Sequence, residues 1–293
     1  MNITILGIGA MGLPMATNLA ANGFNVTAFD VSEERCKLGA TQGLNIATNP
    51  REAAKGADVL LLAVRNAQQL NEALFGADGV AEDLADGAEV ILTSTVGLEA
   101  VAEVGQRLAE LGLGLIDAPI SGGPVRAGNG DLLVVVGATE ENYQKALPVL
   151  EAMSSTLVKV GNQPGKGQAM KTVNQLLCGV HIAAAGEALA LAGRLGLDKK
   201  QALDALMAGA AASFMLGDRG QRMLETDVEA VEVKSRLDIF VKDMGIVTDA
   251  AKSVGLATPV AAAAEQLYVL GNNAGMGAMD DSSVTYVVDG MPK

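Results

Sequence analysis

The chain has 293 residues, 49% of them apolar and only 3% aromatic, with two cysteines, one histidine and a formal net charge of −13. The length gives a soft expectation of two domains, and the apolar share is enough for a sizeable core. The acidic balance argues against nucleic acid and anionic membrane surfaces as partners, and a lone histidine without metal-ligand spacing argues against a structural zinc site.

An export signal is also argued against. Met1 and Asn2 lead straight into an apolar run with no basic residue before Arg35, whereas a signal peptide opens on a basic region and ends at a small-residue cleavage site. No unbroken apolar stretch reaches the ~18 residues of a membrane span. Cys36 and Cys178 read as thiols rather than a disulfide, so the expected location is cytoplasmic.

In chain order, ITIL (3–6) reads as a buried strand, followed by an amphipathic helix near 10–22 and a second strand, NVTAF (25–29). VLLLAV (59–64), EVILT (89–93), LGLID (113–117) and LLVVV (132–136) continue the series, with helical stretches such as 97–111 and 140–152 between them. Apolar strands alternating with helices predict a parallel sheet covered on both faces. After GNQPGKG (161–167) the texture changes: 168–194 reads as one long helix, and helical patterns recur near 199–210, 235–254 and 259–273 without further strands. The expected architecture is a doubly wound α/β domain over 1–162 and an all-α domain over 163–293, joined by the long helix. Gly179, Gly186 and Gly193 recur every seven residues in that helix. Each costs about 1 kcal/mol against Ala. The stripe reads as close helix contact, within the chain or between subunits, or as plain Gly/Ala-rich composition.

Gly7-Ile8-Gly9-Ala10-Met11-Gly12 fits G-x-G-x-x-G between a strand and a helix, the Rossmann-type cofactor loop. In that pattern the first glycine makes the turn, the second lets backbone approach a pyrophosphate at the helix N-terminus, and the third packs helix on strand. Asp30 ends the second strand, where a carboxylate accepts from ribose hydroxyls and repels a 2′-phosphate. No Arg or Lys follows it before Arg35. NAD is therefore expected over NADP.

Two further stretches carry chemistry. Asp117-Ala-Pro-Ile-Ser121-Gly122-Gly123-Pro124 follows a strand and offers a hydroxyl and backbone N–H groups to an anion; a simple turn is its plainer reading. In Gly165-Lys-Gly167-Gln-Ala-Met-Lys171-Thr-Val-Asn174-Gln175, Lys171 and Asn174 share a face near the start of the long helix. A lysine there faces the helix's positive end; its plainer reading is a surface lysine.

Together these stretches resemble the β-hydroxyacid dehydrogenase family, which includes 3-hydroxyisobutyrate dehydrogenase and tartronate semialdehyde reductase. The resemblance runs along essentially the whole chain: glycine loop, D-A-P-x-S-G-G, G-x-G-x-x-x-K-x-x-N and a late K-D pair. It implies that Lys171 is the catalytic acid/base, that Ser121, Gly122 and Gly123 hold the substrate carboxylate, and that Asn174 orients the substrate. It implies that Thr95 contacts the cofactor and that Lys242 approaches its nicotinamide end. It further implies a small hydroxy-acid substrate and a homodimer or homotetramer.

The chain departs from the family in places. Gln175 stands where many relatives have a second Asn, and Ala63-Val64 stands where many have Leu-Pro at the cofactor ribose. Arg65 follows as either a local positive charge or a surface residue. Within the family the C-terminal half is most similar to the L-threonate dehydrogenases, through 174–183, 238–243 and 280–284. His181 lies on the Lys171 face and either meets a distal substrate hydroxyl or packs in the core. Asp280, Asp281 and Ser282 cap a helix or reach a neighbouring active site, capping being the expected role. A non-catalytic NAD sensor would not need Lys171, Asn174 or the Ser-Gly-Gly loop. A 6-phosphogluconate dehydrogenase would need a longer helical domain and basic residues for a phosphate, for which Arg219 and Arg222 are the candidates.

Overall fold

The computed structural model describes residues 1–225 and 227–291. The chain divides into two compact units, residues 1–171 and 172–293.

The first unit runs β1 (Asn2–Leu6), α1 (Gly12–Ala21), β2 (Asn25–Phe29), α2 (Glu33–Thr41), β3 (Asn45–Ile46), α3 (Pro50–Ala54), β4 (Val59–Leu62), α4 (Ala67–Phe75), β5 (Glu89–Leu92) and α5 (Leu98–Glu110). It continues with β6 (Gly114–Asp117), β7 (Ile120–Ser121), α6 (Gly123–Gly128), β8 (Leu132–Gly137), α7 (Glu140–Met153) and β9 (Ser154–Gly161). Short polar side chains set several helix starts: Ser32, Asn49, Asn66 and Thr139 each accept a backbone N–H of the first turn, which satisfies one of the donors a helix N-terminus leaves open.

The strands form one sheet in the order β3-β2-β1-β4-β5-β6-β8-β7, with β9 on β8. Alternate residues of each strand point to opposite faces. Ile3, Ile5, Leu61, Ile91 and Ile116 pack under α1 and α7, while Leu60, Leu62, Val90 and Leu92 pack under α3, α4 and α5. Each such side chain, fully buried, contributes about 1.5–3 kcal/mol. Both faces are covered, as expected.

The sheet is not wholly parallel. β8 runs antiparallel to β6 and to β7. An antiparallel neighbour starts from the edge its predecessor ends on, so residues 118–131 need no crossover to the far edge. The Ser121–Gly123 turn consequently stays at the carboxyl edge of the parallel strands. An apolar run such as LLVVV reads the same in either direction, which is why the sequence predicted a parallel strand. β9, half-exposed at the edge, and the two-residue β3 and β7 were also not expected.

α8 (Lys166–Arg194) starts in the first unit and continues into the second, where α9 (Lys199–Met207), α10 (Phe214–Met223), α11 (Leu237–Ser253), α12 (Pro259–Asn273) and α13 (Thr285–Asp289) follow. α10 was not expected. Its glycines weaken a helix pattern, yet a Cβ on Gly220 would lie 2.8 Å from a methyl of Leu203, so close packing on α9 requires the small residue. By length and mean hydropathy alone α8 meets the criterion for a bilayer span, although nearly half of that stretch is buried inside the protein.

The core of the second unit gathers Ile182, Leu189, Leu203, Phe240, Met244 and Tyr268. The Tyr268 ring stacks on Phe240 at 5.2 Å, and its hydroxyl donates to the Gly179 carbonyl at 2.7 Å. The glycine stripe of α8 faces partners in the same chain. A Cβ on Gly179 would overlap the Met244 sulfur, one on Gly186 would lie 3.2 Å from the Thr285 backbone, and one on Gly193 would lie 2.6 Å from Lys199.

Residues 280–289 are fastened to the helices before them. Asp280 accepts from Arg222 Nε at 2.8 Å and from the Ser282 N–H at 3.1 Å. Asp281 takes Arg219 through two nitrogens at 3.0 and 2.9 Å. Asp289 pairs with Lys199 at 2.7 Å and Arg194 at 3.2 Å. The capping role expected of Asp280 is therefore seen. Arg219 and Arg222 pair with these carboxylates and with Asp218, so both cations named as candidates for a substrate phosphate are engaged by acids of the chain.

Candidate active site

At the end of β1 the backbone turns at Gly7, whose φ of +93° is a conformation that side chains disfavour. A Cβ there would also overlap the Ala63 carbonyl, and one on Gly12 would overlap the Gly7 carbonyl. Gly9 differs: nothing lies within 4 Å of its Cβ direction. Two glycines are thus needed for packing and one leaves open space. Met11 precedes α1 without a side-chain cap, and Ala10 is exposed. The loop sits where the strand order reverses between β1 and β4, the switch point at which open α/β sheets bind ligands. Ala63 closes the β4 side, its N–H donating to the Leu6 carbonyl at 3.0 Å. Val64 packs inward and Arg65 is exposed.

Asp30 does more than end a strand. Its two carboxylate oxygens accept the Ile8 and Ser32 N–H groups, each at 2.8 Å, so it fastens the glycine loop to β2. Each oxygen keeps a further lone pair for another donor. An open Gly9, an uncapped helix start and a held carboxylate fit a dinucleotide.

The loop carrying Thr95 is held by a residue the sequence reading passed over. Gln168, fully buried, accepts the N–H groups of Val96 and Gly97 at 2.9 and 3.2 Å. Its amide donates to the Ser94 carbonyl at 3.0 Å and to Asp117 at 2.9 Å. Asp117 also accepts the N–H groups of Gly165 and Gln168 at 2.8 and 2.9 Å. Burial raises the Asp117 carboxyl above its usual range, and the bonds from Gln168 and the backbone N–H groups pull it back. One carboxamide thus joins β5, β6 and the start of α8. The available signal was a glutamine three residues before Lys171 in a stretch destined for burial.

Ser121 closes β7, and Gly122 and Gly123 follow with φ of +144° and +76°, a turn closed to most side chains. Lys171 on the first turns of α8 is buried, and its Nζ donates to Ser121 Oγ at 2.9 Å. The structure brings together the two motifs that the sequence singled out separately.

In the second unit, four polar side chains form a string. Asn174 donates to Gln175 at 2.9 Å, Gln175 donates to Asp243 at 2.5 Å, and Lys242 pairs with Asp243 at 2.8 Å. Gln175, flagged as a departure, is the link in that string, and Asp243 is buried. His181 is half-buried on α8. Neither Cys36 nor Cys178 is in a disulfide, and no cluster of metal-ligating side chains occurs among the described residues.

Comparison with known proteins agrees with this geometry. Residues 2–161 match the NAD-binding domain of 6-phosphogluconate dehydrogenase, and residues 165–288 match the NAD-binding family of NADP-dependent 3-hydroxyisobutyrate dehydrogenase. L-threonate dehydrogenase of Cupriavidus necator is 39% identical over 99% of this chain and 97% of its own. The Escherichia coli K12 enzyme of that name is 35% identical over 99% and 95%. A crystal structure of 3-hydroxyisobutyrate dehydrogenase from Salmonella typhimurium, 35% identical, superposes with a TM-score of 0.90 over 98% of this chain and 99% of that one. With both halves matched in order and relatives aligned along nearly the full length, the protein belongs to the β-hydroxyacid dehydrogenase family of nicotinamide-dinucleotide-dependent oxidoreductases.

Proposed function

We propose that this enzyme oxidises a hydroxyl of a small hydroxy acid with NAD, L-threonate to 2-oxo-tetronate being the favoured reaction. The observation that carries the reading is the contact of Lys171 Nζ with Ser121 Oγ. It sets an amine beside a hydroxyl and two glycine N–H groups, which is what an acid bearing a carboxylate and a reacting carbinol requires.

Ser121, Gly122 and Gly123 hold the carboxylate. Lys171, as a neutral amine, takes the carbinol proton; in reverse, as an ammonium, it returns that proton to the carbonyl oxygen. When bound, NAD accepts the hydride that leaves the same carbon. Asn174 orients the acid, and Thr95 and Lys242 contact the cofactor, as the family pattern assigns them. Gly7, Gly9, Ala10, Met11 and Gly12 seat the diphosphate, with Ala63 and Val64 beside the ribose. The Asp30 carboxylate takes ribose hydroxyls, which supports NAD over NADP. The threonate assignment is supported by the names of the relatives at 35–39% identity.

A cytoplasmic homodimer or homotetramer belongs to the same reading. The assembly is supported by Val173, Leu177 and Leu191, which stand exposed on α8.

The test is NADH formation across L- and D-threonate, L- and D-glycerate, 3-hydroxyisobutyrate and 3-hydroxypropionate, with tartronate semialdehyde in the reductive direction. Turnover of L-threonate above the others, lost in Lys171→Ala, is expected. Preference for 3-hydroxyisobutyrate or tartronate semialdehyde would reassign the substrate within the family. No turnover with NADH still bound would favour a sensor.

A further inference from the structure

We infer that Gln175 is a positioning residue that turns Asn174 into an acceptor for a second substrate hydroxyl, so that the site selects acids carrying at least two hydroxyls. This deepens the hydroxy-acid reading above and rests on it. Asp243 sets the direction. It is buried, and a carboxylate accepts hydrogen bonds without donating. Gln175 meets it with the NH2 end of its carboxamide, at 2.5 Å. Gln175 is buried as well, and a reversed amide would set its oxygen against the carboxylate. The other end of that carboxamide is therefore an oxygen. Asn174 turns its own NH2 inward to meet it, donating to Gln175 Oε1 at 2.9 Å and to Cys178 Sγ at 3.4 Å. One buried acid thus fixes the sense of two amides. The device rests on a position where the chain departs from many relatives, Gln175 in place of asparagine.

Both donors of Asn174 are spent in this way, and no described residue donates to its Oδ1. Asn174 is half-buried on α8 and has a carbonyl oxygen left to offer. Such an oxygen attracts an O–H and repels a carboxylate, so of the groups on a hydroxy acid it takes a hydroxyl. Lys171 lies three residues earlier on the same face of the helix, and in the proposed reaction it takes the proton of the reacting carbinol. A hydroxyl has one proton to donate. The carbinol that gives its proton to Lys171 has none for Asn174, so the hydroxyl at Asn174 is a different one.

Steady-state kinetics of the whole enzyme with NAD, L-threonate and the 3-deoxy and 4-deoxy analogues of L-threonate test this. Wild type is expected to favour L-threonate over at least one analogue by roughly tenfold or more in kcat/KM, the difference lying in KM. Gln175→Met, of similar length and without an amide, is expected to reduce that preference to within about threefold by raising KM for L-threonate. The preference is a ratio within one preparation, so a smaller folded fraction does not move it. Gln175→Glu combined with Asp243→Asn puts the amide donor at position 243 and the acceptors at position 175, and is expected to restore the preference. Three results would overturn the inference while leaving the hydroxy-acid reading intact. They are wild type that treats all three acids alike or prefers a monohydroxy acid, a preference unchanged in Gln175→Met, and a folded double variant as indifferent as Gln175→Met. Wild type that binds NADH and turns over no hydroxy acid would overturn both.

Discussion

Ser121 and Lys171 lie 50 positions apart in the chain and meet through one hydrogen bond of 2.9 Å. That bond ties a turn of two glycines to the first turns of a long helix, so each motif fixes the other. Loss of either partner has a distinct expected signature. Lys171→Ala should lower kcat roughly a hundred- to ten-thousandfold, as removal of a general acid/base does, with little change in NADH affinity. Ser121→Ala should act more on KM for the acid, by about tenfold. Steady-state kinetics with NADH titration check both, and equal loss of NADH affinity in Lys171→Ala would refute the assignment.

Gln168 offers a stability test. Its carboxamide serves four partners in a buried place. Gln168→Leu leaves the Asp117 carboxylate and two backbone N–H groups short of partners, with an expected cost of about 2–4 kcal/mol in urea unfolding. Gln168→Glu sets a second carboxyl beside Asp117, so its loss should shrink on acidification as one of the pair protonates.

Glu89, at the start of β5, is buried, and Lys145 approaches it at 3.5 Å. Burial pushes its carboxyl from 4.5 up to about 7, with Lys145 opposing. The folded state therefore holds this proton after the unfolded chain has released it. Stability is expected to fall as pH rises from about 4.5 to about 7 and then to level off. The cost is at most about 3 kcal/mol. Glu89→Gln should flatten that stretch of the profile in thermal unfolding, and an unchanged slope would count against Glu89 as its source.

The Asn174–Gln175–Asp243–Lys242 string predicts the effect of a nearly isosteric change. Gln175→Leu leaves a carboxylate oxygen of Asp243 without its amide donor and should cost about 1–3 kcal/mol. Gln175→Glu should do more harm at neutral pH than at low pH, because it places two acids together. Chemical denaturation at two pH values reads both.

The exposed apolar residues of α8 bear on assembly. Light scattering should report a dimer or tetramer, and Leu177→Glu with Leu191→Glu should shift it toward monomer. A wild-type monomer would remove that part of the proposal.

Much of this was legible in the chain. NVTAF was placed to the residue because valine and apolar alternation sit between a glycine turn and an acid. The 259–273 helix was placed equally well because Pro259 opens it. The direction of β8 was not legible, since a run of leucine and valine carries no arrow. Gln168 was missed for a different reason. Its importance lies in partners far along the chain, and a glutamine in isolation reads as solvent-exposed. For Asp30 the position suggested a ribose ligand, a role that stays a proposal, while its grip on Ile8 appears only once β1 and β2 are side by side.

The fastening of residues 280–289 also bears on how the protein is made. Arg194, Lys199, Arg219 and Arg222 all wait for carboxylates that leave the ribosome after every helix from α8 to α12. The first unit carries its whole sheet within the first 161 residues and has what it needs to fold while synthesis continues. Until the last stretch appears, Arg219 and Arg222 in the second have Asp218 on their own helix and lack Asp280 and Asp281. During synthesis, then, the nucleotide-binding half should resist proteolysis well before the helical half does, and the interval between them is when the nascent chain is most exposed to chaperones and to aggregation.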